Sequence, residues 1–220
     1  MQVRHQIGEL AARYNRDPDS IRLLAVSKTR GVNELTPAIR EHQVEFGENY
    51  VQEAVEKIAL LQQHPELIWH FIGAVQSNKT RLIAEHFDWV HSVDRLKIAQ
   101  RLSDQRPATL PPLNVLIQVN VSHESSKSGI DKDQLRQLAT DIESLPGLCL
   151  RGIMGLPAPA TEFEVQRQQC LQLASLYKQV QEIASKADTL SMGTSNDFEA
   201  AISAGSTLLR IGTAIFGKRV

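Results

Sequence analysis

The feature that most constrains this chain is an alternation. Eight short apolar runs recur at roughly even spacing, and the first seven are each followed by a segment with apolar residues at helical spacing. Strands are expected over 21–26, 44–49, 67–72, 89–93, 114–121, 148–154, 189–192 and 207–211. Helices are expected over 1–15, 31–43, 50–63, 77–86, 95–103, 131–144, 161–186 and 197–204, with Asp94 as the N-cap of the helix at 95–103. Strands that alternate with helices imply a parallel sheet, and a count of eight implies a closed (β/α)8 barrel, the TIM-barrel architecture. An open doubly wound sheet is the alternative; no glycine-rich dinucleotide fingerprint after the first strand supports it. At 220 residues the chain is long enough for one large α/β domain or two small ones. A boundary could be argued only at the proline-rich stretch 107–112, where the alternation resumes at once, so a single domain over 1–220 is expected.

Several function classes fall away on composition. The formal net charge is −1, which gives no global basic field for nucleic acid. No apolar run approaches the roughly 20 residues of a membrane helix, and the amphipathic start lacks the apolar core of a signal peptide. A cytoplasmic location is the default expectation. Cys149 and Cys170 sit in apolar patterns and read as buried thiols. The seven histidines form no HxH or HExxH pattern, so no metal site is expected. Neither a GxSxG elbow nor a P-loop is present.

In a barrel of this kind the chemistry lies at the C-terminal ends of the strands. The first strand runs through Leu24 and Val26 into Ser27-Lys28-Thr29, and alternation puts Lys28 on the inward face. Alone, such a lysine reads most simply as one that snorkels to water. His70 is an inward candidate on the third strand. The stretch Ser191 to Glu199 places small and hydroxyl residues before a helix, with Asn196 and Glu199 at the spacing of an N-cap and its partner. Strand eight puts Arg210 and Gly212 on one face, and Gly212-Thr213 offers backbone N–H groups to a ligand. Loops after strands seven and eight often hold a phosphate in this fold; an ordinary cap plus a salt-bridged arginine reads equally well from these residues. Closure of the barrel makes Lys28 and Arg210 neighbours, and two cations in an apolar interior each need an anion. A phosphate-bearing aldehyde or ketone, attacked by Lys28 to form a Schiff base, satisfies both. Two options follow, a sugar-phosphate aldolase and a pyridoxal phosphate (PLP) site. Lys79, Arg81, Lys127 and Arg151 are candidates for a basic rim, with solvated surface charge as the simpler account.

The segments Ala25-Val26-Ser27-Lys28-Thr29, Phe46-Gly47-Glu48-Asn49-Tyr50-Val51-Gln52-Glu53, Trp69-His70-Phe71-Ile72-Gly73, Gln76-Ser77-Asn78-Lys79, Lys127-Ser128-Gly129, Arg151-Gly152-Ile153-Met154 and Arg210-Ile211-Gly212-Thr213-Ala214-Ile215-Phe216-Gly217 strongly resemble the YggS/PROSC-like pyridoxal phosphate homeostasis proteins. The resemblance covers nearly the whole chain. It implies a barrel like the N-terminal domain of fold-type III PLP enzymes such as alanine racemase. It further implies Lys28 as the Schiff-base residue, Arg210 facing the pyridine nitrogen, Ser195, Gly212 and Thr213 on the phosphate, and Asn49 beside the ring. The chain departs from the family at Thr194, Asn196 and Ala74-Val75, and none of these changes removes a hydroxyl, the lysine or the arginine.

A racemase needs a second acid–base group across the cofactor. Racemases with this barrel take a tyrosine from a further C-terminal domain, and this sequence ends at Val220 just after strand eight. Of its tyrosines, Tyr14, Tyr50 and Tyr177, only Tyr50 is expected near the active face. An arginine opposite the pyridine nitrogen also weakens the ring as an electron sink. The expectation is therefore a PLP-binding regulator of vitamin B6 and amino-acid balance, with no catalytic residue assigned. PLP-dependent amino-acid racemisation is the alternative and sugar-phosphate aldol chemistry a more distant one. Apo forms of PLP-dependent enzymes are the expected partners, and a monomer is the simpler oligomeric state.

Overall fold

The computed structural model describes residues 2–121 and 128–217. Eight parallel strands close into a barrel in chain order: β1 (Arg22–Val26), β2 (Glu45–Glu48), β3 (Ile68–Phe71), β4 (Trp89–Val93), β5 (Leu113–Val119), β6 (Leu148–Gly155), β7 (Thr189–Ser191) and β8 (Leu208–Ile211). Closure is made by β1 against β8, with Leu24 opposite Arg210 and Ala25 opposite Ile211. This is a (β/α)8 TIM barrel, and the open doubly wound alternative is set aside.

Both faces of these strands are covered, which is why they read as continuous apolar runs. On β1, Leu23 and Ala25 join the main core between barrel and helices. Leu24 points into the barrel interior, where the absent side chain of Gly47 makes room for it and for Ile72. The helices are α1 (Gln2–Arg13), α2 (Val32–Arg40), α3 (Val51–Leu60), α4 (Thr80–His86), α5 (Leu96–Gln105), α6 (Leu135–Glu143), α7 (Phe163–Gln181), α8 (Phe198–Ser203) and α9 (Thr213–Phe216). Each longer helix buries one stripe; α7 buries Cys170, Leu173, Leu176, Tyr177 and Val180.

The helices differ from the sequence expectations mainly at their ends. Asp94 does not cap α5: Arg95 holds the extended capping position, and Asp94 accepts the Arg95 guanidinium at 2.7 Å instead. α9 follows β8 where no helix was expected, because four residues carry too little periodicity to be seen in sequence.

The N-terminal end of the barrel is stopped by a stack. The guanidinium groups of Arg22 and Arg151 lie over the Trp89 ring, 4.6 and 4.8 Å from its centroid. Arg22 forks onto Glu45 at 3.0 and 2.9 Å, and Arg151 pairs with Asp188 and donates to Asn114 at 2.8 Å. Arg151 thus sits at the end opposite the expected basic rim. Arg81 pairs with Glu85 on α4, and Lys127 lies outside the described residues.

Candidate functional site

At the C-terminal mouth the strands open into a cavity of about 620 Å³, within the roughly 300–1,000 Å³ typical of small-molecule sites. All six candidate residues border it: Lys28, Asn49, Ser195, Arg210, Gly212 and Thr213. They come from positions 28 to 213 of the sequence, and only barrel closure brings them together. Among the described residues its titratable lining is cationic throughout, namely Lys28, Arg30 and Arg210. A second cavity of about 240 Å³ shares Asn49, Ile72, Met154 and Leu156 with the first and adds Gln118 and Asn120.

Lys28 follows β1 directly, and the residues on both sides of it are tied to α3. The Ser27 hydroxyl donates to Glu48 Oε1 at 2.5 Å, and Lys57 Nζ donates to the Ser27 carbonyl at 2.9 Å. The Thr29 N–H donates to Glu53 Oε1 at 2.6 Å, holding Thr29 in the left-handed region at φ 63°. Lys57 also donates to Glu48 Oε1 at 2.8 Å and Glu53 Oε1 at 2.5 Å. Burial pushes the Glu48 carboxyl up, and Lys57 and Ser27 offset this only in part. Its second oxygen, Oε2, is buried with no hydrogen-bond partner among the described residues.

This clamp escaped the sequence reading. Its signal was Lys57 itself, which takes its place in an α3 stripe with Ala54 and Leu61, both buried. A lysine among such neighbours has to find an anion.

Arg210 enters from β8 and is buried. Its Nη1 donates to Ser191 Oγ at 2.6 Å and its Nη2 to the Gly155 carbonyl at 2.9 Å. Burial lowers its guanidinium to about 10, so it remains a cation at neutral pH. The interior salt bridge weighed for it from sequence is not among the ion pairs of the described residues; neutral oxygens hold it instead.

After β7 the chain turns at Gly193, whose φ is +96° and whose carbonyl accepts the Arg210 N–H at 2.9 Å. The expected pairing of Asn196 with Glu199 does not form. Asp197 Oδ1 instead accepts the Thr194 N–H at 2.6 Å and hydroxyl at 2.7 Å. Glu199 is drawn away to Arg13 at 2.8 Å, the last residue of α1, and to Tyr14 just after it at 3.0 Å. The loop still brings Thr194, Ser195 and Asn196 to the cavity wall. Gly212 passes close to β1: a Cβ there would lie 3.2 Å from the Val26 carbonyl oxygen. In α9 the Ile215 and Phe216 amides both donate to the Gly212 carbonyl at 2.9 Å, which leaves the Thr213 and Ala214 amides at the helix start without a backbone acceptor among the described residues.

The residues present fit a phosphorylated aldehyde. Asn49 Oδ1 is buried with no hydrogen-bond partner among the described residues, an acceptor left for a ligand. The cationic lining suits a phosphate, and Gly212 lets a ligand approach the backbone. Arg30 also borders the cavity, and sequence reasoning missed it; it donates to Glu34 at 2.8 Å and to the Gly217 carbonyl at 2.6 Å. His70 is inward as expected, but it does not line the cavity.

Comparison with known proteins places this geometry. Residues 1–220 match the family described as alanine racemase, N-terminal domain. The pyridoxal phosphate homeostasis protein of Escherichia coli (strain K12) is 56% identical, over 99% of this chain and 94% of its own length. That of Vibrio cholerae is 54% identical, over 97% and 92%. PipY of Synechococcus elongatus PCC7942, solved with PLP bound, is 33% identical with a TM-score of 0.83, covering 96% of this chain and 99% of that one. Alanine racemase from Corynebacterium glutamicum shares the fold at 16% identity and a TM-score of 0.71, covering 99% of this chain and 60% of that one. The chain belongs to the alanine racemase N-terminal domain family, among its pyridoxal phosphate homeostasis proteins.

Proposed function

We propose that this chain is a PLP-binding homeostasis protein that holds the cofactor through a Schiff-base link to Lys28. The observation that carries this reading is the convergence of six residues, distant in sequence, on one cation-lined cavity. Arg210 would face the pyridine nitrogen, Ser195, Thr213 and the Gly212 backbone would hold the phosphate, and Asn49 would stand beside the ring. PLP supplies an aldehyde for amine capture and a ring that accepts electrons when its nitrogen is protonated. Arg210, a cation and a donor, opposes that protonation and favours retention over turnover. PipY, a relative with PLP bound, and relatives named for PLP homeostasis support the assignment.

The same reading puts the protein outside catalysis. Among the described residues no tyrosine borders the cavity: Tyr14 is held by Glu199, Tyr177 donates to the Ala187 carbonyl at 3.0 Å, and Tyr50 is exposed. Among the described residues, no tyrosine therefore opposes Lys28 for racemisation. We further read the chain as one domain over 1–220, a cytoplasmic monomer that serves apo forms of PLP-dependent enzymes. Among the described residues no helix is long and apolar enough to cross a membrane.

The test is direct. Purified protein mixed with PLP should turn yellow, and borohydride reduction followed by peptide mapping should place the adduct on Lys28; Lys28→Ala should abolish both signals. An adduct mapped elsewhere sinks the assignment. Alanine racemisation at ordinary enzymatic rates, on the order of 1–1,000 per second, would overturn the non-enzymatic reading.

A further inference from the structure

Below the cavity floor a line of polar side chains crosses the otherwise apolar interior of the barrel. Arg210 Nη1 donates to Ser191 Oγ at 2.6 Å, and Ser191 Oγ lies 3.1 Å from His91 Nδ1. His91 Nε2 is 2.9 Å from His70 Nδ1, and His70 Nε2 is 3.3 Å from Glu45 Oε2. That last contact is at ion-pair distance but is not aligned as a hydrogen bond. Ser191, His91 and His70 are buried, and Trp89 stacks on His70 at 5.3 Å. The line starts on β8, crosses β7, β4 and β3, and ends on β2.

One proton arrangement suits every contact. A His70 lone pair aimed at the Glu45 carboxylate would be repelled, so His70 carries its proton on Nε2. Its Nδ1 must then accept from His91 Nε2–H, and His91 Nδ1 must accept the Ser191 hydroxyl proton. Ser191 Oγ, having given its proton, is free to accept from Arg210. Each group donates toward Glu45, so the dipoles add from the guanidinium at one end to the carboxylate at the other. The opposite arrangement turns the Ser191 hydroxyl proton away from His91 and leaves the His70 Nε2 lone pair facing the Glu45 carboxylate.

We propose that Ser191, His91, His70 and Glu45 are a positioning chain that fixes the Arg210 guanidinium in its orientation at the cavity floor. The chain fixes the acceptor that the guanidinium meets, because Ser191 Oγ cannot turn its proton toward Arg210 while it donates to His91; the carboxylate that acts on the guanidinium is that of Asp197. The fixed guanidinium keeps its remaining N–H groups for a ring nitrogen above it. That last step rests on the PLP reading of the cavity.

The charged surroundings agree. Glu45 also meets Arg22, while His70 is acted on by Glu45, Asp88 and Arg22, and His91 by His70, Arg210 and Arg22. Burial would raise the Glu45 carboxyl, but His70 and Arg22 overcome it and hold it down at about 2. Burial lowers both histidines, and His91 well below its ordinary value, so both are neutral at pH 7.

Two measurements test the chain. In the full-length protein without added PLP, ¹⁵N spectra of the histidines should show two rings that are neutral at pH 7, both with the proton on Nε2. Protonation of either ring at pH 7, or a proton on Nδ1 of either, overturns the proposed direction. The second measurement titrates PLP into wild type, His91→Leu and His91→Gln. Glutamine can accept from Ser191 and donate to His70, so it should restore what leucine loses.

Leucine should weaken binding roughly tenfold, as loss of an orienting partner does at metal ligands, and shift the pH midpoint of the visible band. Should His91→Leu not fold by far-UV circular dichroism, Ser191→Ala replaces it. Unchanged affinity and midpoint in a folded variant refute the positioning role. If wild type takes up no PLP, the cofactor reading fails instead, and the ¹⁵N spectra still decide the chain.

Discussion

Replacing Lys57 by methionine isolates the electrostatic part of the clamp beneath Lys28. The side chain of Lys57 is 6% exposed and that of Glu48 0%, so the pair is held almost entirely out of water. Methionine keeps most of the apolar stem and removes all three donated bonds, to Ser27, Glu48 and Glu53. Removing one member of such a buried pair costs about 3–5 kcal/mol, because the other charge is stranded.

Glu48 has an escape, since burial already raises its carboxyl and it can take up a proton. A stranded cost of about 3 kcal/mol corresponds to a further rise of roughly two pK units at 1.36 kcal/mol each. The sign follows. A carboxyl raised by folding contributes stability at low pH and loses it as pH rises through its folded value, and the variant raises that value further. The Lys57→Met deficit should therefore be about 3 kcal/mol at pH 7.5, about 6–12 °C in Tm for a chain of this size, and should shrink toward pH 5.

Urea unfolding at both pH values reads it, provided the slope of the linear extrapolation is unchanged. The double variant Lys57→Met with Glu48→Gln should recover most of the loss at pH 7.5, because no charge is then stranded. A deficit below about 1 kcal/mol at pH 7.5, or one equal at pH 5 and 7.5, would refute the reasoning.

Three further outcomes are expected. Gly193→Ala places a Cβ 2.6 Å from that of Ala201 and 2.8 Å from Leu209 Cδ2 at a φ of +96°, and should cost about 2–4 kcal/mol by thermal or urea unfolding; a loss under about 1 kcal/mol contradicts the turn geometry. Gly212→Val should lower PLP affinity in a spectrophotometric titration far more than it lowers Tm, since the new methyls fill the approach to the cavity near Val26; equal PLP affinity would argue against the phosphate position. Acid should destabilise the fold from the top of the histidine range downward. His70 and His91 fold with lowered values, so the unfolded chain binds up to two more protons below about pH 6.5, a slope of up to ~2.7 kcal/mol per pH unit. Glu45, held at about 2, continues the loss below about pH 4.5, and Glu48 partly opposes it. A Tm that does not fall between pH 7 and 5 would contradict the buried-histidine assignment.

Much of the barrel and the candidate site was legible in the sequence. The alternation of period-two and period-3.6 patterns specifies strand and helix, and strand alternation alone points Lys28 and Arg210 inward. What escaped depends on partners far away in the chain. Glu199 sits at capping distance from Asn196, yet Arg13 and Tyr14 claim it from the other end of the sequence. Lys57 looked like an ordinary helical lysine because Glu48 and the Ser27 carbonyl reach it only after α3 docks. His91 and Ser191 showed no motif, since a line across five strands has no spacing along the chain.

The stack of Arg22, Trp89 and Arg151 turns the barrel into a cul-de-sac. With that end stoppered, a molecule held against Lys28 leaves by the doorway it entered, on the face that carries Asn49 and Ser195. Were that molecule passed on, its recipient would have to come to the same face. Arrival and departure then share one threshold, so a recipient bound there would slow reloading from solution.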